Sequence, residues 1–108
     1  MGQSEVDGTN AIADLGLTDR LLVWCRATSA DLVAAQRCRV HGAHFSLPVS
    51  DTHLEAWRKS WDWVLHTMRT LAKDFRNAFA YMTVGAQDAS RADLQLLKEF
   101  TMAAQETV

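Results

Sequence analysis

The sequence predicts an all-α protein, a small helical bundle built on one long central helix over about residues 53–84. Three observations predict it. Sixteen Ala and twelve Leu stand against one Ile and one Pro among 108 residues, a balance that favours helix over the β-branched and aromatic content of sheets. Leu54, Trp57, Trp61, Val64, Met68, Leu71, Phe75, Ala78 and Met82 recur at alternating spacings of three and four, an apolar heptad with no Gly or Pro before Gly85. Thr52-x-x-Glu55 has the form of a capping box just after Pro48, where a helix would begin.

Taken in order, residues 1–9 (MGQSEVDGT) read as a loose tail, and 10–108 as a single helical domain. Asn10 can cap a short turn carrying Ile12 and Leu15 that stops at Gly16. Thr18 is a good N-cap with Asp19 in the first turn, so a helix is expected over about 19–41. Its stripe of Leu21, Leu22, Cys25, Leu32, Val33, Ala35 and Val40 is interrupted by Thr28-Ser29-Ala30-Asp31. That leaves open one helix kinked near 28–30 or two short ones. Residues 42–51 form the connector, because Pro48 cannot sit inside a helix. After the long helix, Gly85-Ala86-Gln87 reads as a turn, with Asp88 and Ser90-x-x-Asp93 as cap signals. Leu94, Leu97, Phe100 and Ala104 then give a last helix over about 90–105.

A helix of 32 residues would span about 48 Å, whereas a compact 108-residue globule is roughly 34 Å across. The apolar stripe would therefore outreach its own domain. A second copy packed on the heptad face (Leu54, Trp57, Trp61, Val64, Met68, Leu71, Phe75 and Met82) relieves the exposure, so a homodimer is expected.

Net charge of −2 and a pI near 6.0 lack the basic excess of nucleic-acid binders. A small DNA-binding helical protein using Arg37, Arg39, Arg58, Lys59, Arg69, Lys73 and Arg76 remains a lesser alternative, since these cations are dispersed around their helices. No apolar run approaches a membrane span, and two cysteines are too few for a disulfide-stapled secreted domain, so the cytoplasm is expected. Cys38-x-x-His41-x-x-His44, with Cys25 upstream, has zinc-compatible ligand types at an unfamiliar spacing. Buried thiols and solvated histidines are the preferred reading, and neither metal nor cofactor is expected. His53 with Asp51 and His66 with Asp62 pair an imidazole with a neighbouring acid, and no phosphate loop, nucleophile elbow or metalloprotease motif appears. An enzyme is not expected.

The stretch NAIADLGLTDRLLVWCRA, the Trp-rich HLEAWRKSWDWVLHTMRTLAKDFRNAF and the overall length are the points at which the chain resembles the QslA-like quorum-sensing antiactivators of pseudomonads. The resemblance implies a non-enzymatic regulator, a helical dimer that sequesters a LuxR-type (LasR-like) transcription activator and blocks its dimerisation and DNA binding. Candidate partner-binding residues are Ile12, Leu15, Leu17, Leu21, Trp24 and the off-stripe Trp63. A helical secretion chaperone or kinase inhibitor is the competing reading.

Overall fold

Three short extended segments decide the architecture. In the computed structural model, which describes residues 1–108, Leu22–Arg26 forms β1, Gly42–Pro48 β2 and Tyr81–Gln87 β3. The strands pair in parallel in the order β1-β2-β3, with Trp24 opposite His44 and His44 opposite Thr83. Parallel neighbours need crossover connections, and helices supply them. Ser29–Ala35 (α2) links β1 to β2; Asp51–Ala56 (α3) and Trp61–Phe75 (α4) link β2 to β3; Leu94–Thr107 (α5) follows β3. The fold is α/β, and the all-α expectation is overturned.

The expected helix over 53–84 breaks for identifiable reasons. Arg58 adopts a left-handed backbone, φ 53°. Its amide donates to the Glu55 carbonyl at 3.1 Å and the Lys59 amide to that of Leu54 at 2.9 Å, the paired bonds that close a helix end. Ser60 then caps α4, its hydroxyl accepting from the Trp63 amide. Thr52 does not start α3; Ser50 does, accepting from the His53 amide. At its far end α4 stops at Phe75, and Met82 lies on β3. The remaining 15 residues of α4 reach about 22 Å, which fits within the 42 × 27 × 23 Å body. The overhang that called for a second copy is gone.

The helix expected over 19–41 is β1, α2 and their connections, with Thr28 capping α2 through the Asp31 amide. Residues 1–9, read as a loose tail, contribute to Gln3–Ile12 (α1), whose Val6 is buried against Ala34 and Cys38. The segment 90–105 overlaps α5, capped by Asp93.

One cluster holds the fold together. Val23 and Cys25 of β1 and Ala43, Phe45 and Leu47 of β2 face Leu32 and Ala35 of α2, Val64, Met68, Leu71 and Phe75 of α4, and Phe100 and Ala103 of α5. Burying a side chain of this size contributes about 1.5–3 kcal/mol. All of these helices lie on one face of the sheet. The opposite face carries Leu22, Trp24, Tyr81, His44, Ser46, Thr83 and Gln87 without a layer over it; Leu22, Trp24 and Tyr81 are 47, 56 and 51% exposed. No helix is long and apolar enough to cross a membrane.

Candidate functional site

Alternation along β2 puts Ala43, Phe45 and Leu47 into the core and turns His44 and Ser46 to the open face. The parallel register brings Thr83 beside His44 and Gly85 beside Ser46. The result is a polar row. His44 Nδ1 lies 2.7 Å from Thr83 Oγ1, and its Nε2 lies 2.9 Å from Ser46 Oγ. Both ring nitrogens are engaged by hydroxyls that can each give or take a proton. Burial lowers the His44 pKa from its ordinary value, which favours the neutral imidazole.

Gly85 makes room for this arrangement. A Cβ there would stand 2.7 Å from Ser46 Oγ and 2.8 Å from His44 Nε2, closer than side-chain atoms tolerate. Two residues on, Gln87 Oε1 is buried and has no hydrogen-bond partner, an arrangement that costs about 1–3 kcal/mol until a donor arrives.

The ends of the strands are stapled together. Asp88, in a left-handed conformation at φ 62°, accepts from the Ser50 hydroxyl at 2.5 Å and from Arg91 Nε at 2.8 Å. Those two contacts, Arg91 first, hold its carboxyl below the usual range. At the end of β1, Asp31 (4% exposed) accepts from the Arg26 backbone amide, Nε and Nη2 at 2.9–3.0 Å. The guanidinium holds its carboxyl far below the ordinary carboxylate value. A cleft of about 310 Å³ opens at this end, bounded by Trp24, Arg26, Ser46, Trp57, Lys59, Trp63 and Gln87 among others. In parallel sheets, ligands bind just outside the carboxyl ends of the strands. The cleft, with Ser46 and Gln87 on its wall, occupies that position, and His44 and Thr83 lie below it on the sheet face.

The residues singled out from the heptad are scattered by the fold. Leu54, Val64, Met68, Leu71 and Phe75 pack under the sheet within one chain. Trp61 is half-buried and its Nε1 donates to Glu99 of α5 at 3.1 Å. Trp57 lines the cleft with Trp24 and Trp63. Ile12 and Leu15 are exposed, and Leu17 and Leu21 half-buried, before β1. Of the zinc-type set, Cys25 and Cys38 are buried free thiols and His41 stacks on Tyr81 with ring centroids 6.0 Å apart. No three His, Cys, Asp or Glu side chains are gathered for a metal ion. Ser46, Thr83, Gly85 and Gln87 were absent from the sequence-based candidates. The signal that could have found them is polar residues at every second position in otherwise apolar segments.

A family model described as HMGL-like matches residues 1–107. The chain is 34% identical over 107 residues to 2-isopropylmalate synthase 2 of Caldanaerobacter subterraneus subsp. tengcongensis, covering 98% of this chain and 28% of that protein. It is 32% identical over 107 residues to homocitrate synthase 1 of Nostoc sp., with the same two coverages. It is 31% identical over 101 residues to 2-phosphonomethylmalate synthase of Streptomyces rubellomurinus, covering 93% and 27%. The chain thus spans less than a third of the length of these relatives. They overturn the resemblance to quorum-sensing antiactivators, whose supporting stretches run from the end of α1 through β1 and from α3 to just past α4. Transcription regulation and a LuxR-type partner, which rested on it, fall with it, and the relatives named as synthases overturn the separate expectation, drawn from missing motifs, that the chain is not enzymatic. A family model matched almost end to end and three relatives named as synthases place this chain in the HMGL-like family, and its three-stranded parallel α/β sheet is consistent with that.

Proposed function

We propose that this chain forms part of the substrate-binding wall of a synthase that builds 2-substituted malates. The names of the relatives support it chemically. Isopropylmalate, homocitrate and phosphonomethylmalate share a 2-hydroxysuccinate unit and differ in the group on C2. That skeleton disconnects into a 2-oxo acid and an activated two-carbon acyl unit. The new bond joins the acyl methyl carbon, after loss of a proton, to the ketone carbon. The ketone π pair moves to oxygen, and the alkoxide takes a proton. Water then adds to the activated acyl carbonyl and the activating group departs with a proton, leaving the free carboxylate.

The observation that carries the reading is the row His44–Ser46–Thr83, with the unpartnered Gln87 carbonyl beyond it. A neutral imidazole bracketed by two hydroxyls can polarise the ketone and deliver a proton to the developing alkoxide. Gln87 Oε1 can accept from the tertiary hydroxyl that results. The cytoplasm, where thiols stay reduced, suits the two free cysteines.

Ligand-observed NMR tests this. The resonances of 2-methylmalate and 2-isopropylmalate should broaden in the presence of the protein, and those of glutarate, which lacks the hydroxyl, should not. His44→Ala and Gln87→Leu should each abolish the broadening. Equal behaviour of the malates and glutarate refutes the reading.

A further inference from the structure

The cleft beside the polar row carries a cation with no assigned task. Lys59 sits at the corner between α3 and α4, its ammonium 5.0 Å from the centre of the Trp63 ring and paired with no carboxylate. Arg26, the other cation at this rim, is committed to Asp31 through a two-pronged contact. Lys59 is therefore the charge left over for a ligand. The backbone from which this exposed side chain projects is held in place. The Lys59 amide closes the end of α3 and Ser60 caps α4. Arg58 holds a left-handed conformation that non-glycine residues seldom adopt. The indoles of Trp24, Trp57 and Trp63 line the same cleft as Lys59, and Ser46 and Gln87 belong to both row and cleft.

We propose that this cleft reads the arm of the 2-oxo acid, and that Lys59 is the specificity-determining residue selecting an apolar arm that ends in a carboxylate. The inference rests on the proposed function above and deepens it. Methylene groups pack on the indole walls, which give little to a polar arm. The terminal carboxylate reaches the Lys59 ammonium, gaining a charge-assisted hydrogen bond. A branched alkyl arm fills the same walls but leaves the ammonium to water.

Tryptophan fluorescence of the protein, titrated with 2-oxoglutarate and with 2-oxoisovalerate, tests this. The unmodified protein should bind 2-oxoglutarate about tenfold more tightly, and Lys59→Met should remove that advantage. The same variant should leave 2-oxoisovalerate within about twofold, since uniform binding on the walls is untouched. Lys59→Arg should keep the preference. Equal binding of the two acids by the unmodified protein, or an equal loss of both in Lys59→Met, overturns the specificity role and leaves the proposed function standing. If neither acid binds, the proposed function fails and the specificity role goes with it.

Discussion

Replacing Gly85 by Ala should disable the polar row while leaving the protein folded. The added methyl would meet Ser46 Oγ at 2.7 Å and His44 Nε2 at 2.8 Å. Both would have to retreat by about 0.6–0.7 Å to reach ordinary contact distance. The His44–Ser46 hydrogen bond, now 2.9 Å, would open beyond bonding range, at a cost of about 0.5–1.5 kcal/mol. Gly85 is not among the positive-φ glycines, so alanine meets no conformational barrier and returns about 0.4–1 kcal/mol through the unfolded chain. The two effects nearly cancel, which predicts a shift in melting temperature of only a few degrees. Malate binding should fall about tenfold or more, because the imidazole is displaced from its bracket. Circular dichroism melting and ligand-observed NMR read the two quantities, and the His44 ring proton signals should move. A variant that binds 2-methylmalate as the parent does, with its His44 signals in place, would refute the assignment of the row. Gly42→Ala is the contrast. Its Cβ would fall on the Tyr81 carbonyl oxygen, which is backbone and cannot retreat without parting β2 from β3.

Further expectations concern the frame around the row. Phe45→Ala, at a wholly buried position between sheet and helices, should cost about 3–5 kcal/mol in denaturant melts. Asp31→Asn should cost about 1.5–3 kcal/mol by weakening the charge-assisted bonds from Arg26. Because the folded carboxyl lies below its ordinary value, Asp31 adds stability above about pH 4 that is lost as pH falls through the folded value; the variant should be flatter in that window. His44 has the depressed value of a buried imidazole. The unfolded chain therefore takes the proton first, and stability should decline as pH drops below about 6.5. His44→Gln should remove that decline. The Cys25 thiol is pushed up to about 11, chiefly by burial. At pH 8 a disulfide reagent should leave the native protein unlabelled for minutes and modify two thiols once denaturant is added.

What the sequence disclosed and what it hid follow from the same residues. Of the long stripe, Leu54, Val64, Met68, Leu71 and Phe75 are in the core, whereas Trp57 and Ala78 are exposed and Trp61 and Met82 only half-buried. Their frame was misjudged, because spacings of three and four continue by coincidence across Arg58–Ser60 and on to Met82. A left-handed arginine leaves no mark in a periodicity argument, and only the Ser60 cap signal announced the break. The strands were hidden by composition. Gly42, Ala43 and Gly85 are poor strand formers by propensity, and tertiary packing overrides them. A break near residues 28–30 was legible, and α2 begins at Ser29 behind the Thr28 cap. The Ser90-x-x-Asp93 signal placed the last helix but named the wrong cap, since Asp93 itself accepts from the Gln95 and Leu96 amides.

The uncovered sheet face joins these observations. A purely parallel sheet is normally clad on both faces, yet here helices cover one face only. The open face is not uniformly apolar, as a plane awaiting another core would be. Leu22 and Tyr81 mark its amino-terminal rim, whereas Ser46 and Gln87 gather at the carboxyl end beside His44 and Thr83. That gradient has the polarity of a barrel interior, packed below and chemical above. Three adjacent βα units in sequential order, in a chain spanning 28% of its first two relatives, fit one arc of such a wall. On a helix His44, Ser46, Thr83 and Gln87 would point in unrelated directions. On neighbouring parallel strands they converge, and the unpartnered Gln87 oxygen marks where a ligand donor belongs.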